Sequence, residues 1–299
     1  MATPINFSQL LLPGFRKIYG DDYKGREAAE QFSKVFSMDS TVRSYEEDQG
    51  ITTLGLPSLK PSGESIYFDT ANQTYTKRYT METWALGFIV HRETWEDALY
   101  RNMKNLPSAL SRSVHHGIEI DAANILNYAF NSSYAGADAK ELCATDHPLG
   151  GGGGTFSNEL ATPADLDIVS LENMTLLLAD FVDDRNMKYV AKTVRLIIPS
   201  ELDWTARKIL DSEKEPGNAN NDMNPAKGLM PYVVMDWLTD PDAWFIQTDA
   251  PVGLTGFWRR KPEFSNEDEF NTEIAKFKAT YRTKFGWTDP RCIVGTAGA

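Results

Sequence analysis

The clearest pattern in the chain is an apolar stripe at helical spacing. Trp95, Leu99, Met103, Leu106, Leu110, Val114, Ile118, Ala122, Ile125 and Ala129 recur at intervals of three or four, which places them on one face of a helix. Pro107 interrupts the stripe, because its ring removes a backbone donor and crowds the preceding turn. The spacing predicts a short helix over 93–104 and a long one over 107–130, about 36 Å at ~1.5 Å per residue. Near the end of the chain the period changes to two. Phe277, Ala279, Tyr281, Thr283 and Phe285 alternate with Lys276, Lys278, Thr280, Arg282 and Lys284, the signature of a half-buried strand with a basic outer face.

Between Ser65 and Val90 the chain is rich in Thr, Tyr and other β-formers, with turn residues at Ala71, Asn72 and Gln73. This predicts a long β-hairpin with arms of about a dozen residues, reaching roughly 40 Å at ~3.3 Å per residue. A two-stranded ribbon of that length is marginal alone. Its many threonines, with Lys77 and Arg78, make it too polar for a core, so it is expected to lie on another surface, that of a neighbouring subunit.

The remaining pattern is α+β. Residues 1–60 carry scattered charges and breakers and predict an extended arm, with one amphipathic stretch at Ala28, Phe32, Val35 and Phe36. The glycines Gly150 to Gly154 predict a loop or tight crossing. A helix follows over 171–184, with Ser170 as its N-cap and Leu171, Met174, Leu178, Phe181 and Val182 inward. Lys192 to Ile198 reads as a buried strand, and Ser200 opens a further helix in which Asp203 loosely matches a capping box. Residues 212–228 form a polar loop, and short strands are expected over 229–236, 243–248 and 253–260.

Composition narrows the function classes. With 30 Lys and Arg against 42 Asp and Glu the net charge is −12, which argues against a nucleic-acid reader that relies on neutralising phosphates. The 41% hydrophobic content suits a folded chain. No apolar run is long enough to span a bilayer, and no membrane or secretory route is indicated. Cys143 and Cys292 lack zinc-ribbon or disulfide-framework spacing and read as reduced packing residues.

Candidate chemistry is sparse. Of the four histidines, His115 and His116 are adjacent on the long helix and point about 100° apart, which suits a shared metal poorly. Glu119 is the nearest carboxylate at helical spacing, and the alternative reading is a pair of surface or interface histidines. Cys143 and His147, with Asp146 to orient the imidazole, would make a thiolate dyad, although such partners are normally distant in sequence. Asp183 and Asp184 could bind a cation or form a solvated pair. GGGGTF lacks the Lys of a phosphate loop, and neither HExxH nor a nucleophile elbow occurs. The basic edge of Lys276, Lys278, Arg282 and Lys284 suits either nucleic acid or, better, acidic partners within or between chains.

The order of elements, with GFIVHRETWEDALY leading into NLPSALSRSVHHGIEIDAANILNYAF and the ending EIAKFKATYRTKFGWTDPRCIVGTAGA, resembles the major capsid protein of tailed bacteriophages, the Hong Kong 97-like fold. LLPGF near the start and ATDHPL after the long helix look like Mu-type head subunits. The resemblance implies an N-terminal arm over 1–60, an extension loop over 61–91, a spine helix and peripheral domain over 92–211, an axial domain over 212–262, and a returning strand and tail over 263–299. It implies a non-enzymatic subunit without cofactor or metal, forming hexamers and pentamers around double-stranded DNA in the virion, assembled in the host cytoplasm.

Partners implied are further copies of the chain, a separate scaffolding protein, a portal and decoration proteins. Tyr75, Lys77, Arg78 and Tyr79 would then meet a neighbour, and Lys276, Lys278, Arg282 and Lys284 would lie on an inner-surface strand, in a shell whose inner wall is otherwise expected to be acidic. With no Lys between Lys60 and Lys77, covalent crosslinking through the ascending arm is not expected. An encapsulin-like compartment is the alternative within this fold, and a hydrolase using Cys143 and His147 the alternative outside it.

Overall fold

The computed structural model describes residues 7–96, 103, 105–150, 152–214, 222–269 and 274–299. The helices are α1 (Phe7–Glu27), α2 (Phe32–Val35), α3 (Arg92–Glu96), α4 (Asn105–Asn127), α5 (Ile168–Ala179) and α6 (Asp203–Leu210). The first six strands are β1 (Ser37–Ser40), β2 (Tyr45–Ile51), β3 (Gln73–Thr80), β4 (Glu82–His91), β5 (His147–Pro148) and β6 (Thr155–Phe156). They continue with β7 (Thr193–Ile198), β8 (Tyr232–Val234), β9 (Trp244–Thr248), β10 (Leu254–Glu269), β11 (Ile274–Trp287) and β12 (Ile293–Thr296). The chain divides into two compact units, one of residues 1–45, 80–122 and 256–285, the other of 46–79, 123–255 and 286–299.

The first unit is organised by a four-stranded sheet in the order β1-β10-β11-β4. The period-two pattern of β11 is realised: Ala275, Phe277, Ala279, Tyr281, Thr283 and Phe285 are buried while Lys276 and Lys278 are exposed. Leu11 and Phe15 of α1 pack with Val90, Met103, Ala275 and Phe277, and the Phe15 ring meets Phe277 edge-on at 5.1 Å. Residues 7–27 are therefore a helix and not the expected extended arm. Pro13 inside it is worth about 3 kcal/mol against helix, but burying Leu11 and Phe15 at roughly 1.5–3 kcal/mol each offsets that.

The predicted stripe on the long helix is also realised, with Leu110, Val114, Ile118 and Ala122 buried. Pro107 sits in the first turn of α4, where its missing N–H would have had no partner. Of the short helix expected over 93–104, α3 covers the start; 97–102 and 104 lie outside the described residues. Glu119 is fully buried. Its carboxylate accepts from the backbone N–H groups of Gln31 at 2.7 Å and Phe32 at 3.1 Å. His115 is buried too, 3.8 Å from Glu119, so it is a packed residue and not a surface one.

The second unit holds a four-stranded sheet in the order β12-β9-β7-β8, with β8 parallel to β7. Leu171, Met174 and Leu178 of α5 pack against Ile198, Trp244, Ile246 and Val294. Asp167, not Ser170, is the N-cap of α5, and the two exchange side-chain hydrogen bonds in a capping box. Ser200 opens a 3-10 turn without capping, and Asp203 instead holds Arg207 four residues on. The glycine run joins β5 to β6, with His147 opposite Phe156. Gly152 at φ +80° and Gly154 at φ +150° adopt conformations that other residues avoid.

The expected 65–90 hairpin does not form. β3 and β4 are separated by Met81 alone, too short for the two-residue turn a hairpin needs. β3 pairs with β2 and β4 pairs with β11. Residues 53–72 enter β3 without forming a strand of their own.

Candidate assembly surface

The segment 53–72 exposes Leu54, Leu56, Leu59, Ile66, Tyr67 and Phe68, the last at 85%. Single exposed apolar residues are ordinary, but a group of six in one loop makes it a candidate contact surface. Its base is tied down. Thr52 N–H donates to Asn72 O at 2.9 Å, and Asn72 N–H donates back to Thr52 Oγ1 at 2.9 Å. Asp69 Oδ2 accepts from Gly55 N–H at 2.7 Å and from Arg185 Nη1 at 2.8 Å. Arg185 Nη2 donates to Thr70 O at 2.6 Å, and Thr53 Oγ1 donates to Asp183 Oδ2 at 2.6 Å. The amides of Gly55 and Thr70, helped by the Arg185 guanidinium, hold the Asp69 carboxyl below the usual range. Burial pushes Asp183 up, but the Thr53 hydroxyl and the Met187 and Arg185 amides outweigh it and hold that carboxyl low. A cleft of about 670 Å³ lies at this base, lined by Leu56, Tyr67, Phe68 and Arg185 among others.

The four ribbon residues lie on β3. Tyr79 is 1% exposed; its hydroxyl donates to Thr288 Oγ1, which donates to Asp48 Oδ2 at 2.9 Å. A Cβ on Gly286 would come within 2.5 Å of the Tyr79 ring, so glycine there makes room for it. Lys77 Nζ lies 5.4 Å from the centroid of Trp287. Tyr75 is half-buried, and burial pushes its phenol up. Arg78, on the opposite side of the strand, is exposed and pairs with Glu47 at 2.6 Å. Tyr79 and Lys77 thus pack within their own unit, and Arg78 is the outward one.

On β11, Lys276 pairs with Glu269 and Lys284 with Glu82. Arg282 Nη2 donates to Met81 O at 3.5 Å, and Lys278 is exposed. Acidic partners within the chain thus take up two of the four cations.

The Cys143–His147 dyad is not formed. His147 Nδ1 lies 2.6 Å from Asp138 Oδ2 and Nε2 lies 3.1 Å from Asn158 Oδ1, so both ring nitrogens are engaged elsewhere. Asp138, not Asp146, orients the ring, while Asp146 pairs with Lys140. Cys143 is fully buried, which pushes its thiol well above the ordinary value and away from the nucleophilic thiolate. Asn158, which carries no sequence signal, ties this region together: its Nδ2 donates to the carbonyls of Leu142, Pro290 and Ile293 at 2.7–3.1 Å, and its Oδ1 accepts from Ala144 N–H. Asp184 pairs with the buried Arg291 at 2.9 Å. Among the described residues no group of three His, Cys, Asp or Glu is placed to hold a metal ion, and no helix is long and apolar enough to cross a membrane.

The sequence profile of a family described as phage capsid protein matches residues 74–295. The chain belongs to that family. The capsid protein has the α+β, Hong Kong 97-like fold and is a structural component of a phage capsid. Solved structures share the fold at low identity. The capsid of a native GTA particle aligns with a TM-score of 0.57 at 12% identity, over 90% of each chain. Mycobacterium phage Che8 aligns at 0.53 and 12%, over 90% of this chain and 92% of that one. A virus-like particle from Pyrococcus furiosus aligns at 0.54 and 10%, over 95% and 98%. No curated protein matches the sequence.

Proposed function

We propose that hexamers and pentamers of the capsid protein close around double-stranded DNA, held without sequence-specific contacts. The observation that carries this reading is the capsid family match across residues 74–295. The buried Cys143 thiol and the engaged His147 imidazole support this structural reading over a hydrolase that uses that pair. Assembly takes place in the host cytoplasm with a separate scaffolding protein and a portal, and decoration proteins bind outside. Of the expected extension loop over 61–91, residues 61–80 reach over a neighbour while β4 stays in its own sheet with β11; 92–211 act as spine and peripheral domain, 212–262 as axial domain and 263–299 as returning strand and tail. Arg78 is the ribbon residue best placed for that neighbour, with Tyr75, Lys77 and Tyr79 supporting it from within. The −12 charge suits an inner wall that repels phosphate, with β11 as a basic inner strand. Many modest contacts, summed over the lattice, supply the stability.

Electron microscopy of the protein co-expressed with its scaffold should show closed particles; open aggregates alone would sink the reading. Particle contents separate it from a protein-filled compartment of the same fold, since packaged DNA identifies a phage head.

A further inference from the structure

We propose that the outer edge of β4, at Trp84 and Leu86, is the seat for the apolar loop of a second copy of the chain, filled by Ile66–Phe68. The proposal rests on the extension-loop reading above and names what that loop touches.

β4 and β11 are antiparallel, so directly opposed residues project to the same face. Tyr281 stands opposite Trp84, Ala279 opposite Leu86 and Ala275 opposite Val90. Tyr281, Ala279, Ala275 and Val90 are all buried, whereas Trp84 is 42% and Leu86 49% exposed. The core-facing side of the sheet is thus covered at one end of β4 and uncovered at the other. β4 is also the last strand of its sheet among the described residues. It contains neither Lys nor Pro, the residues that natural edges use to discourage pairing. A bare apolar edge of this kind is suited to strand addition.

The occupant is a second copy for two reasons. A capsid subunit works by meeting its own kind, and this chain itself exposes the matching element. Ile66, Tyr67 and Phe68 are exposed, lie outside any strand, and are followed at once by Asp69, which the Arg185 clamp anchors. In an extended segment Ile66 and Phe68 share one side, the same two-residue spacing as Trp84 and Leu86. Adding it to the edge sets two apolar pairs face to face. A large aromatic side chain buries about 150–250 Å², so a contact of this size falls well short of the ~1,200 Å² of a stable pairwise interface. It therefore holds in the lattice and not between free subunits.

Cysteine pairing tests this directly, because both native cysteines are buried. Particles assembled from the Phe68→Cys, Leu86→Cys double variant, with scaffold supplied, and then treated with a mild thiol oxidant should give a disulfide-linked ladder of multimers on a non-reducing gel. The same variant left unassembled at equal concentration should stay monomeric. Diluting the variant into wild-type subunits keeps the test available if the pure variant fails to assemble, with dimers replacing the ladder. Particles without crosslinks overturn the proposal, as does a crosslinked band migrating as a compact monomer. Phe68→Asp separates the two readings. If it blocks assembly while the cysteine pair stays unlinked, the loop meets a neighbour elsewhere; if assembly is unchanged and no link forms, both readings fail.

Discussion

Asn158 shows what a single residue does in the second unit. Its amide serves three carbonyls and one N–H from stretches up to 135 positions away, and faces His147 besides. Asn158→Ala would leave several buried groups unpaired. Each such group costs about 1–3 kcal/mol, partly recovered by relaxation, so a loss on the order of 3 kcal/mol in unfolding free energy is expected, measurable by denaturant titration. A loss under about 0.5 kcal/mol, the range of ordinary surface substitutions, would refute that role. Tyr79 teaches the complementary lesson. Its β-propensity was readable, but the direction of its ring depends on Gly286 and Thr288, more than 200 positions along the chain.

At the scale of elements, the loop 53–72 is held by the Asp69–Arg185 and Thr53–Asp183 contacts. Both carboxyls are depressed below the ordinary range, so their contribution is full above the unfolded value of about 3.9 and is lost as pH falls through the lower folded values. Limited proteolysis should find this loop protected at neutral pH and progressively cut by an acid-active protease below about pH 4. Arg185→Ala removes one of the influences lowering Asp69, so release should move to higher pH. An unchanged cleavage profile in that variant would show that the clamp does not hold the loop. Deleting residues 57–67 should leave β2, β3 and the buried Tyr79 in place, giving a folded subunit by circular dichroism that no longer forms particles. Particles of unchanged stability after the deletion would remove the loop from the assembly surface.

At the scale of the whole molecule, the exposed apolar loop and the uncovered end of β4 suit the proposed role, in which each subunit buries further surface against other copies. The same consideration makes −12 a property of the shell more than of the subunit, since the charge of each copy is repeated over the lattice. Raising salt screens repulsion between exposed charges more than a Debye length of about 10 Å apart at 0.1 M. Assembly yield measured by light scattering should therefore rise with moderate salt; a fall would place net attraction, not repulsion, between copies.

The sequence alone determined the elements whose pattern is local: the stripe of α4, the alternation of β11, the buried run of β7 and the glycine turn. Periodicity reports which side chains share a face, and that needs no knowledge of distant residues. It did not reveal partners. β3 and β4 read as two arms of one hairpin because strand propensity says nothing of pairing, and the pairing of β4 depends on β11, nearly 200 residues later. Nor could it find α1, where Pro13 and the glycines mimic an extended arm until the packing of Phe15 on Phe277 outweighs them. Only the tertiary structure decided which apolar side chains the chain covers for itself and which, at Trp84 and Phe68, it leaves exposed.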